Sequence, residues 1–180
     1  MVGITRKFLK LFARKEDGTT AIEFSMLLFP YMLLTLGILE LAIMFTAQSL
    51  LEGATTSATR MIRTGELQEM GVGNEEQIFR DALCNYATVF IVCEDIVVEV
   101  QPLNSFFDDL TPTFDADGNI VSAGFNSGGS SQEMLIRTSY RYPMLTPIVG
   151  PLIMGPDSST LFVSTIVLQT EPYDFQGAGS

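Results

Sequence analysis

Two carboxylates stand where carboxylates are expensive. Glu23 and Glu40 interrupt the run from Gly18 to Leu51, GTTAIEFSMLLFPYMLLTLGILELAIMFTAQSLL, which otherwise carries no charge. An ionised side chain at a bilayer centre costs about 2.5–3.5 kcal/mol, and less near the edge. A chain that keeps an acid there has a use for it, such as pairing with a cation or imposing register on a neighbouring helix. Gly18 lies five residues before Glu23, and Phe24 follows it directly.

Other candidate chemistry is sparse. The chain has no histidine, which removes histidine-based triads, histidine metal ligands and the commonest general base. No glycine-rich phosphate loop precedes a helix. Cys84 and Cys93 are nine residues apart with no metal-ligand partners. Asp115, Asp117 and Asn119 resemble half of a calcium loop. Gly118 is misplaced for one and the closing bidentate Glu is missing, so an ordinary turn is the expected reading. The remaining acids read as solvated surface. Nothing points to catalysis, and no cofactor, metal or small-molecule substrate is expected.

The element that must position the two glutamates is one long helix. Phe24 to Leu39 is uncharged, and about 20 apolar residues span a bilayer; Phe24 to about Phe45 suffices. A soluble core helix rarely stays apolar on every face for so long. A secretory signal would have an apolar core of 7–15 residues and a small-residue cleavage site soon after; here the sequence continues as AQSLLEGATTSATR. Ala47, Leu50, Leu51, Ala54, Ala58, Met61 and Ile62 recur at spacings of three and four. The helix is therefore expected to run from Thr19 to Thr64, about 69 Å at 1.5 Å per residue. Gly65 is its stop. Pro30 is expected to kink it or loosen one turn.

Charge sets the topology. Arg6, Lys7, Lys10, Arg14 and Lys15 precede the span, and they include every lysine of the protein. After Thr64 there are three bases against sixteen acids. The positive-inside rule puts the N-terminus in the cytoplasm and the rest beyond the span outside. That acidity argues against a nucleic-acid partner, because no basic face is available to release counterions. In an extracytoplasmic compartment the Cys84–Cys93 pair is expected to be oxidised, contributing about 2–3 kcal/mol in the chain-entropy account. Two free buried thiols are the alternative.

The chain thus divides into a cytoplasmic leader (1–18), a transmembrane and stem helix (19–64) and an extracytoplasmic domain (65–180). In the last, residues 66–73 read as a connector. Asn74 and Gln77 are spaced as an N-cap and its third helical residue. Ile78, Phe79, Ala82, Leu83, Tyr86, Val89 and Phe90 then give a second, amphipathic helix. Alternation predicts strands over 96–101, 134–142 and 161–170. Residues 102–132 read as a long loop with a short strand near 120–125. Residues 143–159, with four prolines, read as an irregular crossing. The fold class is α+β, with helix on one face of a small, mostly antiparallel sheet.

Three segments carry a resemblance to the TadE-like proteins, minor pilins (pseudopilins) of bacterial tight-adherence pili. EDGTTAIEFSMLLFPYMLLTLGILEL holds Gly18, Glu23, Phe24, Pro30 and Glu40. ATTSATRMIRTG is similar to the family's small-residue helix ending. QTEPY is similar to its asparagine-glutamate-proline ending, with Thr170 in place of the asparagine. Major pilins of this system have tyrosine after the glutamate and are very short, so Phe24 and the length here fit the minor branch. Paired cysteines also occur in many relatives.

The resemblance implies a pilin-like fold and cleavage between Gly18 and Thr19 by a prepilin peptidase, for which a small residue leaves the backbone unhindered. Glu23 and Phe24 become the assembly and recognition residues, Glu23 pairing with the new amine of a neighbouring subunit. The implied location is the bacterial inner membrane, with the C-terminal domain periplasmic and incorporation into the surface pilus a further expectation. The implied partners are the membrane, the peptidase, another minor pilin and the pilus assembly machinery. Glu40, Leu51, Ala54 and Ala58 are candidate subunit contacts; for Glu40 a solvated, headgroup-level acid is slightly favoured. The competing reading is an unprocessed single-span protein with a periplasmic binding or scaffold domain.

Overall fold

A computed structural model describes residues 17–70, 73–87, 90–103 and 110–173. The leader up to residue 16 and the expected helical position Val89 lie outside the described residues. One helix organises the rest. Helix α1, Asp17–Thr64, runs without a break through Pro30. Its inner half exposes apolar side chains on every side, among them Ile22, Phe24, Met26, Leu27, Phe29, Leu34, Ile38 and Leu39. Its outer half buries Met44, Ala47, Leu51, Ala54, Ala58 and Ile62. That is the face the periodicity marks, and it packs on other parts of this chain.

Gly65 ends α1 at φ +80°, a left-handed position that glycine adopts without steric cost. The expected connector instead begins with a short helix, α2, Glu66–Met70, which buries Leu67. Helix α3, Glu75–Ala87, lies against α1 and buries Phe79 and Leu83. It stops short of Phe90. A 3₁₀ turn, Cys93–Asp95, follows, and Cys84 of α3 is bonded to Cys93.

The sheet is three-stranded and antiparallel in the order β1-β4-β5. Strand β1 is Val97–Pro102, β4 is Glu133–Pro143 and β5 is Ser159–Gln169. Met134, Ile136, Tyr140 and Tyr142 alternate onto the face that shares the core with the buried face of α1. Thr55 of α1 and Thr138 of β4 join hydroxyls at 2.6 Å in the middle of this contact. The fold is α+β, as the pattern of elements predicts.

Two details depart from expectation. Strand β4 buries Leu135, Arg137 and Ser139 as well as their alternating neighbours, so the sheet is covered on both faces. The second cover comes from the excursion between β1 and β4. A small hairpin, β2 Thr113–Phe114 with β3 Ile120–Val121, meets β4 through Arg141, which donates to Asn119 and to the Asp117 carbonyl. Phe125 then bridges back to Val100 of β1. The proline-rich crossing also contains a short helix, α4, Val149–Met154.

Candidate functional site

Gly18 and Thr19 lie in the first turns of α1, exposed, and a Cβ added at Gly18 would meet nothing within 4 Å. Glu23 and Phe24 are exposed one turn further on, Phe24 by 64%. Glu23 has no ion-pair partner among the described residues.

Glu40 has the opposite environment. It is only 2% exposed. One carboxylate oxygen accepts the backbone N–H of Leu145 at 2.5 Å and the other that of Thr146 at 3.1 Å. The donors lie in the segment between β4 and α4, so a loop far away in sequence folds over the stem to satisfy the acid. The expected solvated or intersubunit Glu40 is corrected accordingly: its lone pairs are used within its own chain. Burial first, and then the Glu40 carboxylate, push the nearby Tyr142 hydroxyl above the usual tyrosine range.

Leu51, Ala54 and Ala58 are also corrected as contact residues. Each is 1% exposed or less, enclosed in the core shared by α1, α3 and the sheet. The apolar face from Ala47 to Ile62 is covered by the chain's own head. What remains uncovered is the inner half of α1.

The C-terminal motif closes the outer end of the stem. Thr170, 2% exposed, receives the Gln132 N–H and donates to the Gly129 carbonyl. Glu171 donates its N–H to the Arg63 carbonyl at 2.8 Å and forms an ion pair with the Arg63 side chain at 3.3 Å. Tyr173 lies over Gly65, where an added Cβ would come within 2.7 Å of its ring. The TEPY sequence thus clamps the end of β5 onto the end of α1. Spacing alone could not assign it that role, because the contact joins residues far apart in sequence.

Two charged clusters are structural. Glu99 and Arg137, paired across β1 and β4, form an ion pair at 2.9 Å with both side chains buried, and Arg137 also donates to the Leu110 carbonyl. Asp115 receives the N–H groups of Asp117 and Asn119 and the Asn119 side-chain amide. Those bonds, the Asn119 backbone N–H first, hold its carboxyl below the usual aspartate range. This is the ordinary turn expected of the 115–119 loop. Among the described residues no group of His, Cys, Asp or Glu is arranged to hold a metal ion.

Among the described residues one helix, Gly18–Thr64, is long and apolar enough to cross a membrane, and its C-terminal half carries the α+β head. Residues 18–60 match the family model described as TadE-like protein; the match covers the stem, and the head lies outside it. No curated protein and no solved structure matches the chain.

Proposed function

We propose that this protein is a minor pilin that helps to start or cap a tight-adherence pilus after a prepilin peptidase cuts between Gly18 and Thr19. The observation that carries the reading is the exposed Gly18–Phe24 segment, in which Glu23 has no ion-pair partner among the described residues, on a helix whose residues 18–60 match the TadE-like family. Cleavage would give Thr19 an amine and make Glu23 the fifth mature residue. A carboxylate within lipid and the amine of an adjacent subunit offset part of each other's desolvation and fix the axial register between stems. Lipid gives no hydrophobic drive between stems, so packing and polar pairing decide association.

The head would lie in the periplasm, and the partner would be another minor pilin docked along the inner half of the stem. The contact surface is moved from Leu51, Ala54 and Ala58 to exposed positions such as Met26, Leu27 and Leu34. Co-expression with the cognate peptidase is expected to yield a mature N-terminus at Thr19, and Gly18→Val to block it. Full-length protein persisting beside an active peptidase refutes the processing and, with it, the minor-pilin role.

A further inference from the structure

The segment from Pro143 to Pro156, PMLTPIVGPLIMGP, contains no charged residue. Its inner side is fixed to the stem. Leu145 and Thr146 bond Glu40, Val149 is buried, and its Cγ1 lies 3.9 Å from where a Cβ on Gly37 would stand. Its outer side is apolar and open: Leu145 is 60% exposed, Ile148 61% and Leu152 74%.

The level of this segment along the stem is set by helix geometry. Glu40 lies about 25 Å from Glu23 at 1.5 Å per residue, and a hydrocarbon core is about 30 Å thick. With the span beginning at Phe24, Gly37 and Glu40 fall short of the outer boundary. Leu36, Ile38 and Leu39, beside Gly37 on α1 at the same level, are exposed apolar side chains as well.

Its backbone suits that place. Irregular backbone at membrane depth needs its polar groups satisfied within the protein. Prolines 143, 147, 151 and 156 carry no N–H. The N–H groups of Met144, Leu145, Thr146 and Gly150 go to Ser158 O, the two Glu40 oxygens and Thr146 O.

We propose that Pro143–Pro156 is a second membrane-contact element, seated in the outer leaflet beside the span, with lipid acyl chains covering Leu145, Ile148 and Leu152. Glu40 is then the polar pin that holds this collar against the stem, shielded from lipid by the segment it binds. The inference rests on the membrane-spanning reading of α1 but not on processing or pilus assembly.

Spin labels at single added cysteines of the full chain test it in phosphatidylethanolamine–phosphatidylglycerol vesicles. The sites are Ile148→Cys and Leu152→Cys, with Leu34→Cys in the span and Val121→Cys on the head. The readout is relative accessibility to oxygen and to a water-soluble nickel chelate. Labels at 148 and 152 are expected to be oxygen-accessible and chelate-shielded, at about 5–10 Å into the headgroup–acyl boundary, and shallower than 34. Chelate access equal to that at 121, with 34 still shielded, overturns the collar and leaves the span standing. Shielding of 148 and 152 from both reagents overturns lipid as the occupant in favour of a second protein. Chelate access at 34 overturns the span and the collar together.

Discussion

Replacing Glu40 by glutamine tests whether the acid is a pin for the proline-rich segment. The wild-type carboxylate is buried and receives two backbone N–H groups, at 2.5 and 3.1 Å. Hydrogen bonds to a charged group contribute about 1.5–3 kcal/mol each, and a buried donor left unmatched costs about 1–3 kcal/mol. Glutamine keeps one accepting oxygen and turns an amide nitrogen toward the other donor. The segment should then open more easily by about 2 kcal/mol, roughly a 30-fold change in its opening equilibrium at 1.4 kcal/mol per decade. Glu40→Ala loses both acceptors and should cost about 3–4 kcal/mol. Hydrogen exchange on the full chain in a bilayer mimic measures this directly. The Leu145 and Thr146 amides should exchange about 30-fold faster in Glu40→Gln, on the same estimate, while central β4 amides such as that of Thr138 stay protected. A second readout is optical. Glu40 is one of the causes that raise the Tyr142 hydroxyl, so removing the charge should lower the pH at which that tyrosine ionises, with Tyr142→Phe identifying the signal. Unchanged protection at Leu145 and Thr146 together with unchanged Tyr142 titration refutes the pin.

Two further substitutions test how the head is locked to the stem. Gly65→Ala forces a Cβ onto a φ of +80° and into the Tyr173 ring; the left-handed backbone alone costs about 1–2 kcal/mol, so thermal unfolding should move down by several degrees. Gly53→Ala, where the added Cβ meets nothing within 4 Å in the same helix, should stabilise by about 0.5–1 kcal/mol, and equal effects at the two sites would reject the clamp. Glu99→Ala should destabilise by about 3–5 kcal/mol, because it strands the buried Arg137 guanidinium. Pairing Glu99→Leu with Arg137→Met should recover most of that loss in denaturant midpoint, and a double variant as unstable as Glu99→Ala shows that the charge is not what the sheet needs.

What could be read from the residues follows from the range of the forces that shape them. The stem was legible because its inner half is apolar on every side and its outer half repeats at three and four. Strand β4 was legible on its helix-facing side through Met134, Ile136, Tyr140 and Tyr142. Its other face was not, because Arg137 and Arg141 read locally as solvent-facing charges. Of their partners, Glu99 lies on the neighbouring strand β1, but the Leu110 carbonyl and the 115–119 turn arrive from a segment with no periodicity. Helix α4 is six residues long between prolines and glycines, too short for a hydrophobic repeat to announce it. Glu40 was hidden for a different reason. Its partners are backbone N–H groups, and the nearer in sequence lies 105 residues away. Every non-proline residue has such a donor, so residue identity does not mark it.

The contrast between the two glutamates is the structural argument about assembly. They share one helix and one residue type, yet the chain folds its own loop over Glu40 and leaves Glu23 without an ion-pair partner among the described residues. An intramolecular acid can hold the head at a fixed height on the stem, but its lone pairs are no longer available to another subunit. An open acid can still be matched from outside. On the proposed minor-pilin reading, polar pairing that sets register between stems would fall to Glu23, while Glu40 holds the 143–156 segment against the helix. On this division Glu23→Gln should leave Leu145 and Thr146 protected while weakening association between stems, and Glu40→Gln should first loosen the 143–156 segment.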